Sequence, residues 1–337
     1  MMNEAGRNVP HPDTLDNPEV LARKELAELG IEANRENVEA VIEQKGVRQH
    51  PEGHEDIINS LNDPTALKAA MERLGIRSVV HAEGTSVWDH AKTAIRRVDS
   101  LDLPDALKHE LRILMLYHDL GKAEVMDEDQ NLKATEKNLK KGILLRNAIG
   151  HAEARGGDIR KGLAANGLTG ERLETLMTIV RNHMNTSLLE QSPKKTVALF
   201  ETFGSDDDER RETVRLLTTI LQIDAQATEH IDLEEGELKY SKNERKSQLD
   251  FAAVWAKYEE GLELVHQEAA KQEAKKAEAA REAAIFGGKL SDYLIKERGI
   301  KPGPEMGRAV GQVKKLLAEQ SDRPPEEVRR LVDGMEF

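Results

Sequence analysis

Tyr117-His118-Asp119-Leu120-Gly121-Lys122 is the stretch on which the reading of this chain turns. An imidazole and a carboxylate stand side by side at the end of an apolar run, a glycine follows to stop the helix, and a lysine lies just beyond. Leu111, Leu114, Met115 and His118 fall at helical spacing, so His118 points the way the apolar face points. His109 falls about 180° round the same helix and is expected at the surface. His118 and Asp119 point about 100° apart, so they can share an ion only if it lies between their two directions at the helix end.

The same test selects further polar groups on apolar faces. His90 shares a face with Val87, Ala94 and Val98; His151 with Ala148 and Arg155; His183 with Leu176, Ile179 and Val180; Asp224 with Ile220, Leu221 and Ala227. A carboxylate in the middle of an apolar face costs several kcal/mol unless it is paired, so Asp224 needs an arginine, a hydrogen-bond network or a cation. A lone histidine on such a face is more often a satisfied core residue than a ligand. Four histidines and two aspartates on successive helices are better explained by a metal centre. One ion could be held by His90, His118, Asp119 and Asp224, and a second by His151 and His183 with Asp119 as the bridge. The chain has no cysteine, so the ligands must be His, Asp or Glu. Such donors suit one or two divalent ions drawn from Mn, Fe, Ni, Co, Zn or Mg, and the histidine count leans away from Mg alone.

Composition bounds the rest. At 337 residues the chain has room for two or three domains. With 3% aromatic and 33% charged residues, its core must rest on Leu, Ile, Val, Ala and Met, which favours helices. The expected class is all-α, and no strand pattern is strong enough to predict a sheet. A net charge of -13 argues against a generic polyanion-coating protein, while leaving a local basic groove open. With no apolar run suited to a signal peptide or a bilayer span, the expectation is a cytoplasmic protein with no membrane partner.

The expected organisation has four parts. Residues 1–17 form a mobile arm. Residues 18–79 form a small helical cap with helices over Val20–Gly30, Asn34–Lys45 (stopped by Gly46) and Asp63–Gly75. Residues 80–232 carry the site. Residues 233–337 hold an acidic turn from Leu233 to Leu238, a long helix from about Ser247 to Phe286, and a helical tail over Leu290–Glu297, Glu305–Gln320 and a last helix opened by Pro324-Pro325. Glu268–Ala284 reads as a solvated helix supported by Glu and Lys pairs at i,i+4. Its mostly Ala face is weak for a coiled coil, and a homodimer through it is the one self-association expected. Asp127-Glu128-Asp129 and Asp206-Asp207-Asp208 read as solvated turns.

The order His90, then His118-Asp119, then a distant Asp224 resembles the HD-domain metal-dependent phosphohydrolase superfamily. The spans Val87-Trp88-Asp89-His90, His118–Lys122, Gly150-His151-Ala152-Glu153 and Val180-Arg181-Asn182-His183-Met184 resemble the HD domain of bacterial CCA-adding tRNA nucleotidyltransferases and their poly(A) polymerase relatives. Gly299-Ile300-Lys301-Pro302-Gly303-Pro304-Glu305-Met306-Gly307 looks like the turn in the C-terminal helical part of those enzymes, where the family holds the body of tRNA. The resemblance covers roughly residues 80–320. The first 80 residues are too short and too helical for the family's nucleotidyltransferase head, so nucleotide addition is not expected.

The resemblance implies an HD-domain helical bundle and a phosphohydrolase or phosphodiesterase acting on nucleotides or RNA ends, such as 2',3'-cyclic or terminal phosphates, through metal-activated water. A phosphorylated nucleotide, an RNA 3' end or a tRNA-like RNA is the partner it implies. Asp119 is the expected bridging catalytic residue. Lys122 is the first candidate to bind a phosphate oxygen, against the plainer reading of a charge complementing a helix C-terminus. Arg155, one turn from His151, is the second candidate for substrate. The alternative is a non-enzymatic RNA-binding or assembly module that retains the HD scaffold.

Overall fold

The computed structural model describes residues 17–81, 86–184, 192–242 and 249–337. The expected N-terminal arm lies almost wholly outside them. The described residues form helices α1 (Pro18–Glu28), α2 (Arg35–Gly46), α3 (Glu55–Asn59), α4 (Pro64–Leu74), α5 (Val87–Asp99), α6 (Asp105–Tyr117), α7 (Lys122–Val125) and α8 (Asp129–Lys140). These are followed by α9 (Gly156–Ala165), α10 (Gly170–Asn182), α11 (Pro193–Phe200), α12 (Asp207–Gln226), α13 (Phe251–Phe286), α14 (Leu290–Lys296), α15 (Pro304–Glu319) and α16 (Pro325–Asp333). The strands are β1 (Ser78–His81), β2 (Ile143–Leu144), β3 (Glu229–Glu234) and β4 (Glu237–Lys242). The chain is thus mostly helical, as its composition implies. It divides into two compact units, one running through Glu259 and the other Glu260–Phe337.

The sheet is the departure from the all-α expectation. Its order is β2-β1-β3-β4, with β1 parallel to β2 and antiparallel to β3. The expected acidic turn at Leu233–Leu238 is the tip of the β3–β4 hairpin. Glu235 and Gly236 both have positive φ, 52° and 80°, the backbone that a two-residue hairpin turn requires. β1 joins β3 across some 150 residues of sequence, with Ser78 opposite Asp232 and Val80 opposite His230. Four residues of β1 and two of β2 are too few to show alternation. Ile57, Leu67, Met71, Val79, Leu144 and Ile231 make one core that seats α3 and α4 against this sheet.

Helix ends follow their capping residues. Asn17, Asn34 and Asp63 accept hydrogen bonds from the first-turn amides of α1, α2 and α4, and Gly75 closes α4 with φ 68°. Gly46, expected to stop α2, is its last helical residue, and Val47 caps it. The two acidic triplets open helices instead of lying in free turns. Asp206 caps α12 through the Glu209 amide, with Asp207 and Asp208 in the first turn, and Asp129 starts α8. Both placements complement the helix dipole.

Around the site, α5, α6, α9, α10 and α12 pack in sequence on one another, and α2 lies against α5, α6 and α9. The junction of α2, α6 and α9 is polar. The Tyr117 hydroxyl donates to Asn37 Oδ1 at 2.7 Å, Asn37 Nδ2 donates to Asn166 Oδ1 at 2.9 Å, and Asn166 Nδ2 returns a bond to Asn37 Oδ1 at 2.9 Å. Burial pushes the Tyr117 hydroxyl pKa up, so it stays a donor. Its ring lies over Gly162, where a Cβ would sit 2.2 Å from the ring carbon Cζ.

In the second unit, Phe286, Leu290, Leu294, Val313, Val328 and Val332 form the centre of a separate core. Arg298 holds the C-terminal segment by donating to the carbonyls of Val332, Asp333 and Met335.

Gly162→Ala should therefore lower stability by about 1–3 kcal/mol, the usual cost of overpacking a tight contact. Thermal unfolding measures it; an unchanged melting temperature would contradict the described packing of α9 on α6.

Candidate metal centre

Among the described residues, six side chains form two groups of three possible metal ligands: His90, His118 and Asp224, and Asp119, His151 and His183. They come from α5, the end of α6, the loop after β2, the end of α10, and α12. His90, His118, Asp119, His151 and His183 are between 0% and 3% exposed, and the Asp224 side chain is 15% exposed. The five residues selected by facial periodicity thus meet in one place with Asp119, the neighbour of His118.

Asp119 joins the groups. Its Oδ2 lies 3.5 Å from His90 Nε2 and 3.4 Å from His118 Nε2, while its Oδ1 lies 3.0 Å from His151 Nε2 and 3.6 Å from His183 Nε2. Asp224 Oδ1 completes the first group at 2.9 Å from His90 Nε2 and 3.8 Å from His118 Nε2. Two ligand atoms each about 2.1 Å from one ion sit roughly 3.0–3.4 Å apart in octahedral or tetrahedral geometry. The observed separations bracket that range.

The imidazoles are set by a shared local device. His118 Nδ1 donates to Met115 O at 2.8 Å, His151 Nδ1 to Ala148 O at 2.7 Å, and His183 Nδ1 to Val180 O at 2.5 Å. Each ring folds back on the carbonyl three residues earlier. A carbonyl can only accept, so Nδ1 carries the proton and Nε2 turns its lone pair inward. His118 and His183 each occupy the C-cap of their helix, which the helix dipole makes favourable for a cation. The consequence is electrostatic. His151 Nε2 and His183 Nε2 face each other at 3.0 Å, and His118 Nε2 is buried without a hydrogen-bond partner. Lone pairs turned inward at these distances, beside an ionised carboxylate, call for a cation between them. The donor set therefore fits a metal and could hold one in each group.

Burial on its own would raise the Asp119 pKa. The His118 side chain and the Lys122 ammonium beside it override this and hold the carboxyl well below the ordinary carboxylate range.

Gly121 has a different role from the expected helix stop. Its φ of -64° and ψ of -17° are right-handed helical, and a Cβ there would lie 2.1 Å from the His151 carbonyl oxygen. Glycine at this position lets the loop bearing His151 approach the His118-Asp119 turn. Lys122 is the first residue of α7, not a charge closing α6, and its Nζ lies 2.5 Å from Asp119 Oδ2 with 19% of the side chain exposed. Arg155, expected near substrate, is turned to other partners: its guanidinium pairs with Glu43 and with Asp158 at 2.8 Å. With φ 55° it caps the start of α9 in a left-handed conformation. His109 belongs to neither group.

Sequence periodicity missed Asn131, on α8, because its role lies in hydrogen bonds to the loop before His151. No protein-family model, curated protein or solved structure matches the chain. Among the described residues no helix is long and apolar enough to cross a membrane.

Gly121→Ala should displace the His151 loop and remove binding in the Asp119/His151/His183 group, leaving one fewer ion per chain by elemental analysis. Unchanged metal content would show that the approach at Gly121 is not what places His151.

Proposed function

We propose that this chain is a metal-dependent phosphohydrolase or phosphodiesterase of the HD-domain type, acting on phosphate esters of nucleotides or RNA ends. The observation that carries the reading is Asp119: one buried carboxylate directs Oδ2 at His90 and His118 and Oδ1 at His151 and His183. Paired ions of this kind, once bound, acidify a water at neutral pH and clamp phosphoryl oxygens.

The chain's own residues supply the remainder. His90, His118 and Asp224 would hold one ion and His151 and His183 the other, with Asp119 common to both. Lys122 sets an ammonium beside Asp119 Oδ2 at the partly exposed edge of the cluster, and this is the charge toward which a phosphate oxygen is drawn. Arg155 is left out of substrate binding because Glu43 and Asp158 already neutralise it. The histidine-rich donor set favours Mn, Fe, Ni, Co or Zn over Mg alone.

One observation favours the second reading, an assembly or RNA-binding module on the same scaffold. Residues 263–280 of α13 are exposed without interruption, a surface that a partner or a second copy could cover.

Purified protein supplied with Mn or Ni should hydrolyse a 2',3'-cyclic or terminal phosphoester. Asp119→Ala should abolish turnover, and Lys122→Met should lower it while leaving metal content unchanged. Metal-loaded protein that is inert on a broad phosphoester panel would overturn the enzymatic reading.

A further inference from the structure

The inward face of α8 is polar over its first turns, ahead of Leu139, which packs against the core of Ile57, Leu67 and Val79. Asn131 is 0% exposed and Thr135, one turn on, is 8% exposed, whereas Leu132 between them is 43% exposed. What the inward face meets is the backbone of the segment between β2 and His151. Asn131 Oδ1 accepts from the Ile149 amide at 2.8 Å. Asn131 Nδ2 donates to the Ile149 carbonyl at 3.2 Å and to the Val125 carbonyl at 2.8 Å. Thr135 Oγ1 accepts from the Asn147 amide at 3.0 Å.

The Ile149 amide belongs to the same peptide unit as the Ala148 carbonyl, which accepts the Nδ1 proton of His151 at 2.7 Å. Asn131 Oδ1, the Ala148–Ile149 peptide and the His151 ring therefore form one chain of aligned hydrogen bonds. Each bond polarises the next, so the asparagine strengthens the carbonyl as an acceptor and holds the peptide plane that aims it. His151 has no helix of its own to orient it. It lies in the turn before α9, and Gly150 ahead of it takes φ 89°.

We propose that Asn131 is the positioning residue for His151, fixing its ring direction and its Nδ1–H tautomer through the Ala148–Ile149 peptide. The proposal rests on reading the cluster as a metal centre. It implies that the two ligand groups are supported unequally: His118 and His183 are oriented by the carbonyls of their own helices, and His151 by a side chain twenty residues away in sequence.

The test uses the full chain with Asn131→Leu, branched in the same way but without the amide, and Asn131→Asp, which can retain an oxygen facing the Ile149 amide. Long-range nitrogen–proton NMR of histidine-labelled metal-free protein reads the His151 tautomer, and titration with Co²⁺ reads binding in each group. For Asn131→Leu the expected result is a mixed His151 tautomer and one Co²⁺ bound about 10–100-fold more weakly, the size typical of lost ligand support. Asn131→Asp should restore most of both. A variant with the wild-type tautomer and both Co²⁺ affinities unchanged would overturn the proposal. If Asn131→Leu does not fold, Asn131→Asp compared with wild type by NMR decides, since retention of Nδ1–H there is required. Wild-type protein that takes up no Co²⁺ would instead sink the metal reading, and the tautomer measurement would still judge the role of Asn131.

Discussion

A carboxylate that is 1% exposed survives ionised only if positive charge or donors reach both of its oxygens, and Asp119 is such a group. Its position explains why four helices and a loop converge there. His90 comes from α5, His118 from the end of α6, His183 from the end of α10 and Asp224 from α12, while Lys122 follows one turn later on the same segment as Asp119. The convergence is costly in itself, because four imidazoles with buried nitrogens add to the charge of the carboxylate. The three rings tied by Nδ1 to backbone carbonyls face inward with lone pairs, an arrangement that repels until a cation enters. Metal binding and folding of this unit are therefore expected to be coupled.

The surroundings are built to hold that convergence still. Tyr117, the residue before His118, is locked between the Asn37–Asn166 pair and Gly162, which fixes α6 against α2 and α9. On the other side of the motif, Gly121 admits the His151 backbone to a distance no other residue would allow. The six-residue stretch Tyr117–Lys122 thus carries two packing residues, two candidate ligands and a cation, with Leu120, itself 3% exposed, buried between them. Its composition follows from the need to bring three chain segments to one point.

Much of this was legible from periodicity, for a definite reason. His90, His118, His183 and Asp224 lie on or at the end of helices whose apolar faces set their direction, so spacing alone reports where they point. The role of Gly121 was misread because a helix stop is a local property, whereas what decides here is contact with a loop thirty residues on; for Lys122 only the plainer reading as a helix-end charge falls, since it opens α7. Arg155 shares a face with His151 in a helical projection, but its positive φ ends that projection and sends the guanidinium to Glu43. The sheet was hidden for a related cause. Short strands paired across long stretches of sequence leave no periodic trace, and only the Glu235-Gly236 turn marks the hairpin. Asn131 could have been found by one signal, a helix that buries Asn and Thr while exposing Leu132, but that inversion needs burial to be known first.

On the proposed reading Asp119 would serve both ions. Anomalous diffraction from crystals of the protein loaded with Mn tests it directly. Two peaks about 3.5–4 Å apart are expected, one on each side of the Asp119 carboxylate, the separation usual in two-metal sites. A single peak that leaves His151 and His183 without contact, or no peak at the cluster, would contradict it.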